Sequence, residues 1–298
     1  MTGGQGAAAG APKARWLIVH ADDYGLTPAV SEGILRGHRD GILTSTSVLT
    51  LAPGFGPSAR RLASSPIDVG VHLAAVGEDP PLLGAREIPT LVDRRGRLAS
   101  SWKVLAPRLA AHRVDPSDLA REFGAQIDAA VSGTGRRPTH LDTHQHLHLW
   151  PSVAAVVVEL ARARGIPAIR VPRSHRAGVG TAVRALSRRL ERRAVAAGLV
   201  APDDSSGLDE AGRVDQRALA AAVEGFARRG AAVAELGCHP GEADDPDRHR
   251  YRWGYTWSTE LEALTSSEAR QAVARAGFTL GGYDAVVDAG AAGRGPRA

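Results

Sequence analysis

Four short apolar runs in this chain each lead into a carboxylate or a histidine, and that recurrence constrains the fold more than any other feature. Residues 16–20, WLIVH, run straight into ADDYG, and residues 68–73, DVGVHL, carry His72 next to last. Residues 139–143 lie inside PTHLDTHQHLHLWP at 138–151 and lead into His144, His146 and His148. Residues 231–238, AAVAELGC, run into His239, Pro240 and Gly241. Apolar, β-rich runs bounded by turn residues read as buried strands. Further strands are expected at 42–51, 168–171 and 278–282. Helices are expected at 29–40, 54–65, 102–111, 117–131, 152–164, 181–197, 214–229, 260–264 and 267–275. Strand and helix thus alternate, which predicts a parallel sheet. Right-handed crossovers bring every C-terminal strand end to one side, the side where such proteins build their sites.

The expected architecture is therefore α/β, built on a parallel sheet that is either open or closed. Residues 77–101, rich in Gly and Pro, read as a long loop insertion over the C-terminal face of the strands. Residues 202–207, PDDSSG, read as a loop. With 298 residues and 43% hydrophobic content the chain can fill one large core. No internal linker divides residues 15–288, so one domain is expected there, between a disordered leader at 1–14 and a disordered tail at 289–298.

A net charge of +5, with acids spread among the bases, argues against a dedicated nucleic-acid binder. The arginine run from Arg184 to Arg193 reads as a solvated helix face. A single cysteine, Cys238, excludes an intrachain disulfide and a cysteine-based zinc site. No apolar run reaches membrane-spanning length and no signal-peptide pattern opens the chain, so a cytoplasmic location is expected. A homo-oligomer is left open.

The adjacent acids Asp22 and Asp23 are costly at the end of a buried strand unless a metal or hydrogen-bond donors offset them. Alternation of side chains along a strand gives the two acids different roles, one on a metal and one facing a reacting water. The competing reading makes one of them a helix cap. In an extended segment His140, Asp142, His144, His146 and His148 share one face, from which one or two reach an ion. His72 alone would pass for a core histidine. Arg170 and Arg173, near another strand end, face either an anionic or carbonyl group or a surface salt bridge. Together, Asp, His and His make an ordinary ligand set for a divalent cation, with a free carboxylate as base and a histidine as acid. That set serves metal-assisted amide or ester hydrolysis. Hydrolysis of a phosphoester or another amide, and a non-catalytic metal- or ligand-binding role, are the alternatives.

Five segments, IVHADDYGL, GILTSTSVL, VGVHL, RRPTHLDTHQHLH and ELGCHPGE, with a weaker YRWGYTWSTELEAL, resemble the YdjC-like carbohydrate deacetylases. That group includes chitooligosaccharide deacetylase and the hopanoid-associated deacetylases, and the likeness spans residues 15–284. The resemblance implies a TIM-like (β/α) barrel, regular or distorted, that releases acetate from an N-acetylated amino sugar, either an oligosaccharide or a glycolipid head group. It implies one divalent ion, Mg²⁺ or Zn²⁺, with Mn²⁺ and Co²⁺ as further candidates, on Asp23, His72 and His144. Asp22 would be the general base and His239 the general acid. Asp142 or His146 would orient the ligands and His148 would touch substrate. Tyr24 and Arg170 are further candidates to support the site or touch substrate. The chain departs from the family form at His20, where Asn is usual, at Tyr24, where Phe is usual, and in AAVGEDPPL after VHL.

Overall fold

A computed structural model of the chain describes residues 14–292. In order the elements are β1 (Trp16–Tyr24), α1 (Pro28–Asp40), β2 (Ser45–Val48), α2 (Phe55–Ala63), β3 (Asp68–Leu73), α3 (Trp102–Ala110), α4 (Pro116–Thr134) and β4 (His140–Thr143). A 3₁₀ turn at His144–Leu149 follows, then α5 (Pro151–Ala163), β5 (Ala168–Ile169), α6 (Val179–Ala196), β6 (Asp204–Ser206), α7 (Gln216–Arg229) and β7 (Val233–Cys238). The chain continues through α8 (Trp257–Thr265), α9 (Ser267–Arg275), β8 (Thr279–Leu280) and α10 (Tyr283–Ala292). Local chemistry sets the helix ends. Thr27 caps α1 by accepting from the Val30 amide, with Pro28 in the first turn. Asp115 and Asp215 do the same for α4 and α7, and left-handed Gly135 and Gly230 end those helices.

The strands pair in the order β5-β4-β3-β2-β1-β7-β6, all parallel, and β8 pairs with the start of β1. Among the described residues, the two edges of this half-barrel meet only through a bridge between Ala168 and Val200, which makes the architecture a distorted (β/α) barrel. Alternation along the strands separates two interiors. Leu17, Val19 and Ala21 of β1, Val69, Val71 and Leu73 of β3, and Leu236 of β7 join the main apolar core with the helices. The opposite face of the same strands presents His20 and Asp22, Asp68 and His72, His140 and Asp142, and Glu235, all buried. Barrel interiors are ordinarily filled with Val, Ile and Leu. Here only the floor is apolar, where Ile18, Ala168, Tyr283 and Val286 form a small separate cluster.

Three sequence expectations differ from the structure. Residues 202–207 contain β6 rather than only a loop. Its polar residues hide the strand because they are used: Asp204 pairs with Arg229 and Ser205 Oγ donates to the Val171 carbonyl. The strand expected at 42–51 is ordered as β2 over four residues only. Helix α10 begins directly after Gly281-Gly282 and runs into the residues read as a tail. The rest of that tail, 293–298, and the leader residues 1–13 lie outside the described residues. Residues 77–101 carry no helix or strand and are fastened to α4, where Glu122 accepts from the Leu82 and Leu83 amides and Asp118 from Thr90. Among the described residues no helix is long and apolar enough to cross a membrane.

Glycine makes the polar interior possible. A Cβ at Gly70 of β3 would stand 2.3 Å from His140 Nε2, and one at Gly237 of β7 would stand 2.0 Å from Arg170 Nη2. Such close approach is the usual reason for Gly inside a strand. Gly70→Ala should therefore lower the unfolding free energy by about 1–3 kcal/mol, the usual cost of overpacking. Gly56→Ala, in α2 with nothing within 4 Å of the added carbon, should be neutral or stabilising. Equal denaturation midpoints for the two variants would contradict this account.

Candidate active site

The site begins with an irregularity in β1. The register between β1 and β2 shifts between Ala21 and Tyr24, and Asp23 takes a left-handed φ of 68°. Such a bulge re-aims side chains. It turns the Asp23 carboxylate toward the same mouth as Asp22, against the simple alternation expected from the sequence. Both acids are buried.

Asp23 Oδ1 lies 3.5 Å from His72 Nε2 and 3.5 Å from His144 Nδ1, and those two nitrogens are 3.3 Å apart. These three side chains can hold a metal ion. Asp23 Oδ1 is buried and has no hydrogen-bond partner, so the triangle presents an oxygen whose charge only a cation or a proton would satisfy. Behind it, His72 Nδ1 donates to Asp142 Oδ1 at 2.9 Å, which fixes the ring with Nε2 turned toward Asp23 and His144. Burial alone would lower the His72 pKa. The Asp142 carboxylate more than offsets this and lifts the value to about 9.

Asp22 belongs to a second constellation. Its Oδ1 pairs with Arg170 Nη1, and its Oδ2 stands 3.6 Å from His239 Nε2. Burial pushes the Asp22 pKa up, but Arg170 and His72 pull it well below the usual carboxylate range. Arg170 also reaches Asp142 Oδ2 at 3.1 Å and Glu235 Oε1 at 2.5 Å. Arg170 is thus neither a substrate contact nor a surface salt bridge. It is buried, and holds acids from three strands. Arg173 pairs with Glu191 at 3.0 Å. Glu260 of α8 accepts from the His239 amide and from Val214 N, which pins the turn carrying His239 to α8.

The remaining histidines of 138–151 do not share an extended face, because the strand ends at Thr143. From His144 the chain enters the 3₁₀ turn, with Gln145 and His146 at φ 53° and 54°. His146 lines the cavity, and burial depresses its pKa so that the ring is neutral at pH 7. Its buried Nδ1 has no partner. His148 is fully buried and does not line the cavity. Its Nε2 donates to the Arg170 carbonyl at 3.1 Å, so Nδ1 accepts from Thr143 Oγ1 at 2.6 Å, and burial drops its pKa to about 4. His140 is stacked on Tyr283 at 4.0 Å below the site. Tyr24 points away from the mouth: its hydroxyl donates to the Ser58 carbonyl in α2, and its ring joins the apolar core.

Sequence reasoning missed Glu235, Tyr283, Glu260 and the structural part played by His20. Tyr283 Oη donates to Glu235 Oε2 at 2.6 Å, and His20 bonds Ser45 and Ser47. The signal was available for Glu235 and His20, since each is an ionisable group inside an otherwise apolar strand. A cavity of about 750 Å³ opens over the two constellations, bordered by Trp253 and Tyr255, whose rings lie 5.2 Å from His144 and 4.7 Å from His239.

Comparison with known proteins places this site in context. A family model described as YdjC-like protein matches residues 16–275. Chitooligosaccharide deacetylase of Salmonella schwarzengrund is 30% identical over 271 residues, 90% of this chain and 98% of that protein. The Proteus mirabilis protein of the same name is 30% identical over 278 residues, 92% of this chain and all of that protein. A crystal structure from Enterococcus faecalis, provisionally assigned to cellobiose-phosphate cleavage, superposes with a TM-score of 0.77 at 26% identity, covering 92% of this chain and 99% of that one.

The proton on His72 has a measurable consequence. His72 can ligate only when Nε2 is unprotonated, while Asp142 keeps the free ring protonated up to a pKa of about 9. Uptake of a divalent ion at neutral pH should therefore release about one proton, and apparent affinity should fall about tenfold per pH unit below that value. Titration calorimetry in two buffers of different ionisation enthalpy reads the proton count. An affinity unchanged between about pH 6 and about pH 8 would show that His72 is not a ligand.

Proposed function

The chain belongs to the YdjC-like protein family, and from that premise we propose that it is a metal-dependent hydrolase that removes the acetyl group from an N-acetylated amino sugar, an oligosaccharide or the head group of a glycolipid. One observation carries this reading: a buried Asp-His-His triangle with an unsatisfied oxygen lies beside an ionised Asp22 that faces His239. The names of the relatives support the substrate class.

Asp23, His72 and His144 would hold the ion, an N/N/O set that suits Zn²⁺ and, with waters completing the shell, Mn²⁺, Co²⁺ or Mg²⁺. When bound, it would polarise the amide carbonyl and acidify a water. Asp22 accepts the proton of the attacking water at Oδ2, the oxygen that Arg170 leaves free. Its depressed pKa keeps it ionised at neutral pH, ready to act, but makes it a weak base suited only to an acidified water. The water oxygen bonds to the acetyl carbon. The carbon–nitrogen bond breaks as His239 Nε2 delivers a proton to the departing amine, giving acetate and the free amino sugar. Trp253 and Tyr255 line the cavity beside His144 and His239, aromatic surface of the kind that suits the C–H face of a sugar ring.

Acetate release from a panel of N-acetylglucosamine derivatives tests the reading. Asp22→Asn and His239→Ala should each lower kcat by about 10²–10⁴ while leaving the metal content intact. Protein stripped by a chelator should lose activity and regain it with added metal. Acetate release that persists in the metal-free protein would overturn the proposal.

A further inference from the structure

The two histidines of the metal triangle are not supported alike. His72 has Asp142 behind it, hydrogen-bonded at 2.9 Å. His144 turns Nδ1 toward Asp23 at 3.5 Å and toward His72 at 3.3 Å, so the opposite edge of its ring, Cδ2 and Nε2, faces away from the triangle. Among the described residues no carboxylate or carbonyl bonds directly to that outer nitrogen. A histidine that ligates through one ring nitrogen carries its proton on the other. That N–H needs an acceptor to hold the ring and strengthen the ligand.

The outer edge of His144 abuts the turn Gly77-Glu78-Asp79. A Cβ added to Gly77 would stand 3.8 Å from Cδ2 of the ring and 4.0 Å from Nε2. Gly77 has a φ of 134°, which other residues rarely adopt, and this brings the backbone of the turn against the ring. Asp79 is buried and shares with His144 a small pocket of about 10 Å³, the size of a single water. Both of its oxygens are held from the segment that carries Trp253. Arg250 Nη2 donates to Oδ1 at 3.0 Å and Tyr251 Oη donates to Oδ2 at 2.9 Å. A carboxylate has about four acceptor positions, so these two donors leave room for a third. Burial raises the Asp79 pKa, while Tyr251, Arg250 and the nearby His144 pull it back. Glu78 is engaged elsewhere, accepting from Trp253 Nε1 at 2.9 Å. The chemistry assigned to Asp22 and His239 makes no use of this turn.

We propose that Asp79 is a positioning residue for His144: it accepts the Nε2–H of that histidine through one water in the small pocket, as Asp142 accepts from His72 directly. The segment that places Trp253 beside the His144 ring is then fastened to the carboxylate that steadies the ligand. One wall of the cavity and the metal triangle thus share an anchor. The inference rests on the metal-binding part of the deacetylase reading and not on the identity of the substrate.

Titration of the metal-free full chain with Co²⁺ at fixed pH tests it. Asp79→Asn should lower the affinity about 10–100-fold and alter the visible absorption of the bound Co²⁺. Glu78→Gln removes an equal charge from the same turn and should leave both readings unchanged. If Asp79→Asn lowers the melting temperature of the metal-free protein, Tyr251→Phe decides instead. It keeps the ring, removes one of the two donors that aim Asp79, and should weaken binding in the same direction; unchanged binding would then overturn the proposal. Asp79→Asn protein that binds Co²⁺ as tightly as the unaltered chain also overturns it. So do equal losses in Asp79→Asn and Glu78→Gln, since charge alone would then account for the effect. An unaltered chain that binds no divalent ion overturns the inference and the metal-dependent reading together. Weaker binding in Asp79→Asn alone, in a chain that releases no acetate, would uphold the inference and reject the deacetylase reading.

Discussion

One buried guanidinium organises the interior of this barrel. Arg170 reaches Asp22 from β1, Asp142 from β4 and Glu235 from β7, and its own carbonyl receives His148. Each contact ties a different strand end to the edge that β5 forms. A buried ion pair adds little net stability compared with an apolar core, because desolvation consumes most of the attraction. Loss of one partner is another matter, since it strands charges that cannot reach water. The polar interior is therefore better understood as a specification than as glue: only one arrangement of these strands lets one arginine meet three acids. Glu235 shows the tension. Burial drives its pKa up to about 7, even though Arg170 and the Tyr283 hydroxyl both pull it down.

Strain concentrates at the candidate site. Among the described residues, four other than glycine have left-handed φ values, and Asp23, Gln145 and His146 are three of them. Each such residue costs on the order of 1–3 kcal/mol and persists only where its surroundings enforce it. At Asp23 the bulge serves to bring two neighbouring carboxylates to one mouth. At Gln145 and His146 it turns the chain sharply enough that His144 meets His72 while His148 folds back beneath Arg170. The stiffness of the interior holds these conformations in place.

Much of the site is legible in the amino-acid sequence. The strands bearing Asp22, His72 and His239 stand out because a buried apolar run that ends in ionisable groups must place those groups against a partner or an ion. The family resemblance adds an assignment of parts to the two carboxylates. What escapes is whatever depends on three dimensions. The bulge at Asp23 has no local signature, and neither has the end of the strand at Thr143, so periodicity alone puts the histidines of 138–151 on one face that does not exist. Arg170 reads as a surface or substrate residue because nothing along the chain shows that Asp22, Asp142 and Glu235 converge on it. Strand β6 is hidden because its residues are polar and serve as partners to Arg229 and the Val171 carbonyl.

The charges around the site point back to the same arginine. Asp22, Asp23 and Asp142 lie buried together with Glu235 around a single permanent cation, Arg170, so acids outnumber that cation. The proton that Asp142 maintains on His72 offsets part of the excess. A divalent ion on Asp23, His72 and His144 would offset more of it than the proton does, with His72 neutral as ligation requires. On this reading the bulge, the tethered histidine and the central arginine are parts of one electrostatic arrangement. Asp22 can remain ionised beside Asp142 because Arg170 is shared between them, and it can face His239 because that sharing occupies only one of its oxygens.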